Sequence, residues 1–126
     1  MKKQSVYLAG GYSSNWRDIV KQQCINVDFV DPKEKESKKV FQYYEYGCWD
    51  LHYIKQTDIC FVYMDKNNPS GFGLSVEIGY AKGLNKTVIL VLESGHEKDK
   101  YLLFLKTVAG VVYDNLEDGI AFLSTF

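Results

Sequence analysis

Short, nearly uninterrupted apolar segments recur along the chain, separated by longer stretches in which apolar residues return every three or four positions. Apolar runs of this length, rich in β-branched and aromatic side chains, are typical of strands that are buried on both faces of a parallel sheet. The pattern predicts five strands, at residues 5–10, 26–32, 58–65, 86–93 and 110–114, the second of which ends at Pro32.

The stretches between and after the strands predict five helices, at residues 13–24, 40–56, 73–84, 100–108 and 116–126. The charged segment 33–39, KEKESKK, is interpreted as a solvated loop or the start of a helix. Strands that alternate with helices imply right-handed crossovers. The sequence therefore predicts an α/β fold, a single doubly wound domain with a five-stranded parallel sheet and helices on both faces.

Ligands of doubly wound sheets bind beyond the carboxyl ends of the strands, where the strand order reverses. The segments expected there are AGGYSSN, residues 9–15, after the first strand and DKNNPSGFG, residues 65–73, after the third. Glycine lets the backbone approach a ligand closely, and small polar side chains hydrogen-bond it. The candidate substrate-binding residues in these segments are Gly10, Gly11, Ser70, Gly71 and Gly73.

Charge and composition narrow the classes of partner. The 126 residues carry a formal net charge of −1, and a sequence pI near 6.1 provides no basic field for a nucleic-acid backbone. No apolar run is long enough for a signal-peptide core or a membrane span. We therefore expect a cytoplasmic protein that binds small molecules, with neither nucleic acid nor membrane as a partner.

The three cysteines, Cys24, Cys48 and Cys60, lack CxxC spacing, and only His52 and His96 accompany them as possible metal ligands. This pattern indicates neither a disulfide framework nor a zinc site. The expectation is three buried free thiols and no bound metal.

Three residues near the two loops are candidates for chemistry. Glu77 is expected in the first turn or so of a helix, where free amide groups favour its ionised form. It is either an ordinary helix-end charge or a nucleophile for displacement at a sugar carbon. Asp50, eight positions before Asp58, is either a surface acid or a group that protonates a leaving group. Tyr7 is either a core side chain or a phenol that directs Glu77.

Three ordered segments carry a resemblance to a known family: YLAGGY at residues 7–12, DLHYIKQTDICFVYMD at 50–65 and NPSGFGLSVEIGYAKGLNKTVILV at 68–91. Together they resemble the nucleoside 2-deoxyribosyltransferase family and imply a flavodoxin-like domain over residues 1–126. The resemblance implies that Glu77 is the nucleophile that forms a deoxyribosyl-enzyme intermediate. It also implies that Asp50 contacts the base and transfers a proton, that Tyr7 orients the nucleophile, and that no cofactor is needed.

The chain departs from the family pattern at several positions. Gly71 stands where some members place an aspartate, six positions before the nucleophile. Family sites are completed by an asparagine or serine of a neighbouring subunit, for which Thr107 and Asn115 are the candidates here. A homo-oligomer, a dimer or a multiple of dimers, is therefore expected, with the aromatic segment 40–53 as its candidate interface. The chain ends at Phe126, and a shorter lid is expected to admit water.

The resemblance implies cleavage of the N-glycosidic bond of a 2'-deoxynucleoside, with transfer of the sugar to another nucleobase or to water. A deoxynucleoside 5'-monophosphate N-hydrolase is an alternative, although its expected phosphate-binding arginine is displaced here to Arg17. An NAD-type N-ribosyl hydrolase and a non-catalytic nucleoside or nucleotide sensor also stay open. Arg17 is interpreted as a solvated charge and Trp16 as a core side chain, with phosphate contact and base stacking as their functional alternatives.

Overall fold

The computed structural model describes residues 2–36, 41–69 and 71–126. Its strands form one five-stranded sheet in the order β2-β1-β3-β4-β5, and every neighbouring pair is parallel. The order reverses between β1 and β3, so the predicted doubly wound α/β sheet is confirmed. The strands are β1 Ser5–Gly10, β2 Asp28–Val30, β3 Ile59–Met64, β4 Thr87–Leu92 and β5 Gly110–Tyr113.

Within the described residues there are six helices, one more than predicted: α1 Trp16–Gln23, α2 Pro32–Glu36, α3 Tyr43–Gln56, α4 Phe72–Gly83, α5 Asp99–Ala109 and α6 Leu116–Leu123. The additional helix is α2. Pro32 does not end a strand but takes the first position of this helix, where its missing N–H needs no partner. None of the helices in these ranges is long and apolar enough to cross a membrane.

Two apolar layers cover the sheet, one on each face. The side chains of β3 alternate between them: Cys60, Val62 and Met64 pack into the layer formed with α3, α4 and α5. Ile59 and Phe61 pack into the opposite layer with α1 and α6. Because both faces are covered, all six residues of β3 are buried, which explains why this strand has an unbroken apolar sequence.

The two aspartates that flank β3 have structural roles. The Asp58 carboxylate accepts hydrogen bonds from the Ser5 main-chain N–H at 2.9 Å and from the Ser5 hydroxyl at 3.0 Å. The main-chain bond lowers the pKa of Asp58. Asp65 accepts a bond from the Asn67 N–H at 2.8 Å and thereby forms the turn that follows the strand. These two acids tie the ends of β3 to their neighbours.

The cysteines divide into two groups. Cys24 and Cys60 are free and buried, as predicted, and each lies in one of the two apolar layers. Cys48 is free but exposed on α3, so the prediction of a buried thiol is wrong there. The reason is that α3 turns most of its surface away from the core, and Ile54 is its one buried residue.

Candidate active site

The loops after β1 and β3, together with α4, line an open cavity of about 210 Å³ at the point where the strand order reverses. The cavity contains four of the five predicted substrate-binding glycine and serine positions together with the predicted nucleophile; Ser70 lies outside the described residues. The lining residues are Gly10, Gly11, Tyr12, Asn68, Gly71, Gly73, Leu74 and Glu77. The topology therefore brings together residues that are more than sixty positions apart in the sequence.

Gly10 is required by close packing at the end of β1. A Cβ at this position would lie 2.6 Å from a ring carbon of Trp16 and 2.6 Å from the main-chain oxygen of Tyr63. Trp16 itself is a core residue, 2% exposed, that packs against aromatic side chains of β3. The position of Trp16 therefore supports its interpretation as a core side chain.

Arg17 holds the loop after β1 in place. Its guanidinium donates to the main-chain oxygens of Gly11 at 2.5 Å and of Gly10 at 2.9 Å, and its Nε lies 2.8 Å from the Asp31 carboxylate. The residue is 2% exposed, so the interpretation as a solvated charge is wrong. The long side chain folds back under its own loop, where main-chain carbonyls and the Asp31 carboxylate compensate the buried charge.

Glu77 lies on α4 with its carboxyl group in the wall of the cavity. The first turn of α4 contains no acidic residue, and Glu77 lies in the second turn, close to the expected position. Burial, and next the charge of Asp50, raise the pKa of Glu77 to about 7. Burial thus outweighs the helix-end effect that was expected to favour the carboxylate.

Tyr7 connects β1 to this carboxyl group. Its hydroxyl donates a hydrogen bond of 3.3 Å to Glu77 Oε2, which lowers the pKa of Glu77. Burial and the nearby charge of Glu77 raise the pKa of Tyr7 far above its ordinary value. The phenol is therefore a permanent neutral donor that supports the ionised form of Glu77.

Asp50 on α3 forms an ion pair with Lys35 of α2, with 2.5 Å between Lys35 Nζ and Asp50 Oδ1. The Lys35 side chain is 8% exposed, and its ammonium lies 3.8 Å from the ring centre of Trp49. The interpretation of segment 33–39 as solvated is therefore wrong at Lys35. Asp50 does not line the cavity of Glu77, but its charge raises the pKa of Glu77 and that of Tyr7.

Comparison with known families identifies the chain. The sequence profile of a family described as "Nucleoside 2-deoxyribosyltransferase like" matches residues 3–94. The chain belongs to this family. No curated protein sequence is detectably similar to the chain.

Solved structures of deoxyribosyltransferases have the same fold. The 2-deoxyribosyltransferase from the psychrotolerant bacterium Bacillus psychrosaccharolyticus matches with a TM-score of 0.71 at 21% identity, over 94% of this chain and 95% of that chain. The 2-desoxiribosyltransferase from Leishmania mexicana matches with a TM-score of 0.65 at 16% identity, over 97% of both chains. The CMP N-glycosidase BcmB of Clostridium botulinum matches with a TM-score of 0.65 at 16% identity, over 98% of this chain and all of that chain. The family indicates a glycosyl-transferring enzyme, and the solved structures show that the chain has the fold of such enzymes.

Three residues in or near this candidate site were not predicted from the sequence: Lys35, Tyr12 and Asn68. Tyr12 and Asn68 fall within the two predicted loops, so loop position was a usable signal for both. Lys35 lies in a charge run whose other lysines look the same, and no local signal distinguishes it. Of the two predicted partner-contact candidates, Asn115 caps α6 by accepting from the Asp118 N–H, and Thr107 is exposed on α5.

Proposed function

We propose that this protein cleaves the N-glycosidic bond of 2'-deoxynucleosides by forming a covalent deoxyribosyl ester on Glu77, and passes the sugar to another nucleobase or to water. The observation that carries the proposal is the position of Glu77, which lines a cavity between two glycine-rich loops and accepts a hydrogen bond from the Tyr7 hydroxyl. Membership in the family supports it, as do the fold-level matches to a 2-deoxyribosyltransferase and a CMP N-glycosidase.

In the first step a Glu77 oxygen bonds to the anomeric carbon, on the face opposite to the base. The bond between that carbon and the base nitrogen breaks, and its electron pair leaves with the base. Positive charge develops on the sugar in the transition state, and the carboxylate stabilises it. Glu77 must be ionised to act, and the hydrogen bond from Tyr7 favours that form.

The departing base gains a proton from the Asp50–Lys35 pair. Asp50 lies within electrostatic range of Glu77, and its Oδ1 is 2.5 Å from the Lys35 ammonium. In the ion pair the proton lies on the Lys35 ammonium, so Lys35 gives a proton to Asp50 as Asp50 passes one to the base nitrogen, and Lys35 is left neutral until the second step. Asp50 and Lys35 thereby act together as one general acid.

In the second step a nitrogen of an acceptor base, or a water oxygen, attacks the same sugar carbon and releases the Glu77 carboxylate. Proton flow reverses, because the attacking group loses a proton to the Asp50–Lys35 pair. Exclusion of water decides between transfer and hydrolysis. The cavity opens between surface loops, and this favours access of water.

A nucleoside is favoured over a nucleotide as the substrate. Arg17, the cation next to the first loop, is buried and committed to two main-chain oxygens and Asp31. Binding of a 5'-phosphate by Arg17 would break these bonds without water to replace them. The match to a CMP N-glycosidase keeps nucleotide hydrolysis as the second candidate.

Base release tests the reaction directly. The protein is incubated with deoxyinosine plus adenine, and separately with deoxyinosine alone, and free hypoxanthine is measured by chromatography. We expect release in at least one mixture and none with Glu77→Ala. Glu97→Ala, which removes an exposed glutamate, is the matched control and should remain active. Unchanged release by Glu77→Ala would refute the assignment of the nucleophile.

Two additions define the intermediate and the substrate. Mass spectrometry of the acid-quenched reaction should find a deoxyribosyl adduct on the peptide that contains Glu77, and its absence under conditions of steady base release would argue for direct attack by water. The same assay with a deoxynucleoside monophosphate and with NAD should give slower release than with the nucleoside. Faster release from the monophosphate would favour nucleotide hydrolysis over nucleoside cleavage as the function.

We also propose that the protein forms a homo-oligomer through the described part of the aromatic segment, residues 41–53. Tyr43 and Tyr44 are 86% and 63% exposed at the start of α3. Large exposed aromatic side chains are enriched in protein interfaces. Light scattering should give a mass of at least twice 14.5 kDa, and Tyr43→Ser together with Tyr44→Ser should lower it; an unchanged mass would exclude this surface.

A further inference from the structure

The loop after β3 forms one wall of the cavity. The segment between β4 and α5, residues 93–98, holds this loop in place. Three side chains of that segment bond the main chain of the loop. They are Glu93, which accepts from the Lys66 N–H at 2.9 Å; His96, whose Nε2 lies 2.6 Å from the Asn68 oxygen; and Lys98, whose Nζ donates to the Pro69 oxygen at 2.6 Å. The segment therefore acts as a brace across the outside of the loop.

His96 is the buried member of this brace, 3% exposed. The Asn68 carbonyl oxygen can only accept, so His96 Nε2 must donate to it. The Lys98 main-chain N–H can only donate, so His96 Nδ1 must accept from it, at 3.0 Å. The neutral ring with its proton on Nε2 satisfies both partners at once. Because the ring is buried, water does not replace either bond when it is lost.

The Asn68 that His96 holds is a contact point between the two loops. Its side chain lines the cavity together with Gly11 and Glu77. A Cβ built on Gly11 would lie 3.2 Å from Asn68 Nδ2, so this side chain already packs against the opposite loop. Displacement of the Asn68 main chain would therefore move the cavity wall. Glu77 and Tyr7 stand on α4 and β1 and would keep their own contact.

We propose that His96 is a positioning residue for substrate binding: its imidazole fixes the Asn68 main chain and thereby the shape of the cavity beside Glu77. The inference rests on the proposed function in so far as the cavity holds the nucleoside. His96 acts through Asn68 and makes no contact with the reacting atoms. Its loss should therefore weaken binding more than it slows the chemical step.

Two substitutions that introduce a side-chain amide distinguish the two hydrogen bonds that the His96 ring makes. Glutamine in His96→Gln carries an N–H donor near the position of Nε2 and keeps the bond to Asn68. Asparagine in His96→Asn carries an oxygen near the position of Nδ1 and keeps only the bond from Lys98. We expect His96→Asn to raise KM about tenfold with kcat changed less than about threefold, and His96→Gln to stay within about threefold of the parent in both.

Amide hydrogen exchange provides a readout that does not depend on activity. Exchange at Lys66 and Asn68 should accelerate in His96→Asn and stay near the parent rate in His96→Gln. If the parent protein releases no base but the exchange rates of the two variants differ as expected, the role of His96 in holding the loop is supported and the proposed function is refuted. Equal KM values for the two variants of an active enzyme, or an effect on kcat alone, would overturn the inference about His96.

Discussion

Replacing Glu77 by glutamine should make the protein more stable at alkaline pH while it removes the proposed nucleophile. Burial, followed by the charge of Asp50, raises the pKa of the Glu77 carboxyl from its ordinary 4.5 to about 7. Above pH 4.5 the unfolded chain releases a proton that the folded protein retains, so ionisation of Glu77 opposes folding. Glutamine retains an acceptor oxygen for the Tyr7 hydroxyl but has no charge to bury.

The magnitude follows from the two pKa values. The stability that neutral Glu77 contributes is complete below pH 4.5 and is lost as the pH rises through 7. At about 1.4 kcal/mol for each pH unit between them, the loss approaches roughly 3 kcal/mol at pH 8 but is below about 1 kcal/mol at pH 5. For a chain of 126 residues, a gain of about 3 kcal/mol raises Tm by roughly 10 °C.

Thermal unfolding of both proteins at pH 5 and pH 8 measures the difference, with circular dichroism as the signal. The Tm advantage of Glu77→Gln should be large at pH 8 and small at pH 5. Glu97→Gln, a substitution of an exposed glutamate, is the control and should change Tm by little at either pH. Activity should be lost with Glu77→Gln and kept with Glu97→Gln.

An advantage of equal size at both pH values would refute the reasoning, because an effect of packing or hydrogen bonding does not follow the ionisation of Glu77. A lower Tm for Glu77→Gln at pH 8 would contradict it more directly. Titration of the Glu77 side-chain carboxyl carbon by NMR provides an independent check. A midpoint near pH 4.5 instead of about 7 would remove the basis of the prediction.

Three further substitutions test other contacts. Tyr7→Phe removes a bond that lowers the pKa of Glu77, so the rise of kcat/KM with pH, expected near pH 7, should move to higher pH; an unchanged profile would exclude this role. Lys35→Met leaves Asp50 unpaired and should cost roughly 1–3 kcal/mol in urea unfolding, whereas unchanged stability would show that the pair is weak. Gly119→Ala places a Cβ 2.4 Å from a β4 side-chain carbon; it should cost about 1–3 kcal/mol in urea without changing KM, and a stabilised variant would contradict this packing.

The sequence by itself determined the sheet and the place of the candidate site. The unbroken apolar run at Ile59–Met64 predicts a strand covered on both faces, and the structure confirms it. The carboxyl ends of parallel strands meet at one edge, so the glycine-rich loops after the first and third strands had to converge. The ordered motifs around Asp50 and Glu77 then indicated the family, to which the profile match over residues 3–94 assigns the chain.

Only the tertiary structure decided the charge state and partners of the site. Lys35 looks like its neighbours in a charge run, yet the packing of α2 beside α3 buries it against Asp50. Arg17 looks solvated but lies under its own loop, and Glu77 looks like a helix-end charge, yet burial raises its pKa to about 7. These properties depend on burial and on charges that distant segments of the chain bring close together. A local sequence pattern predicts neither the burial nor the neighbouring charges.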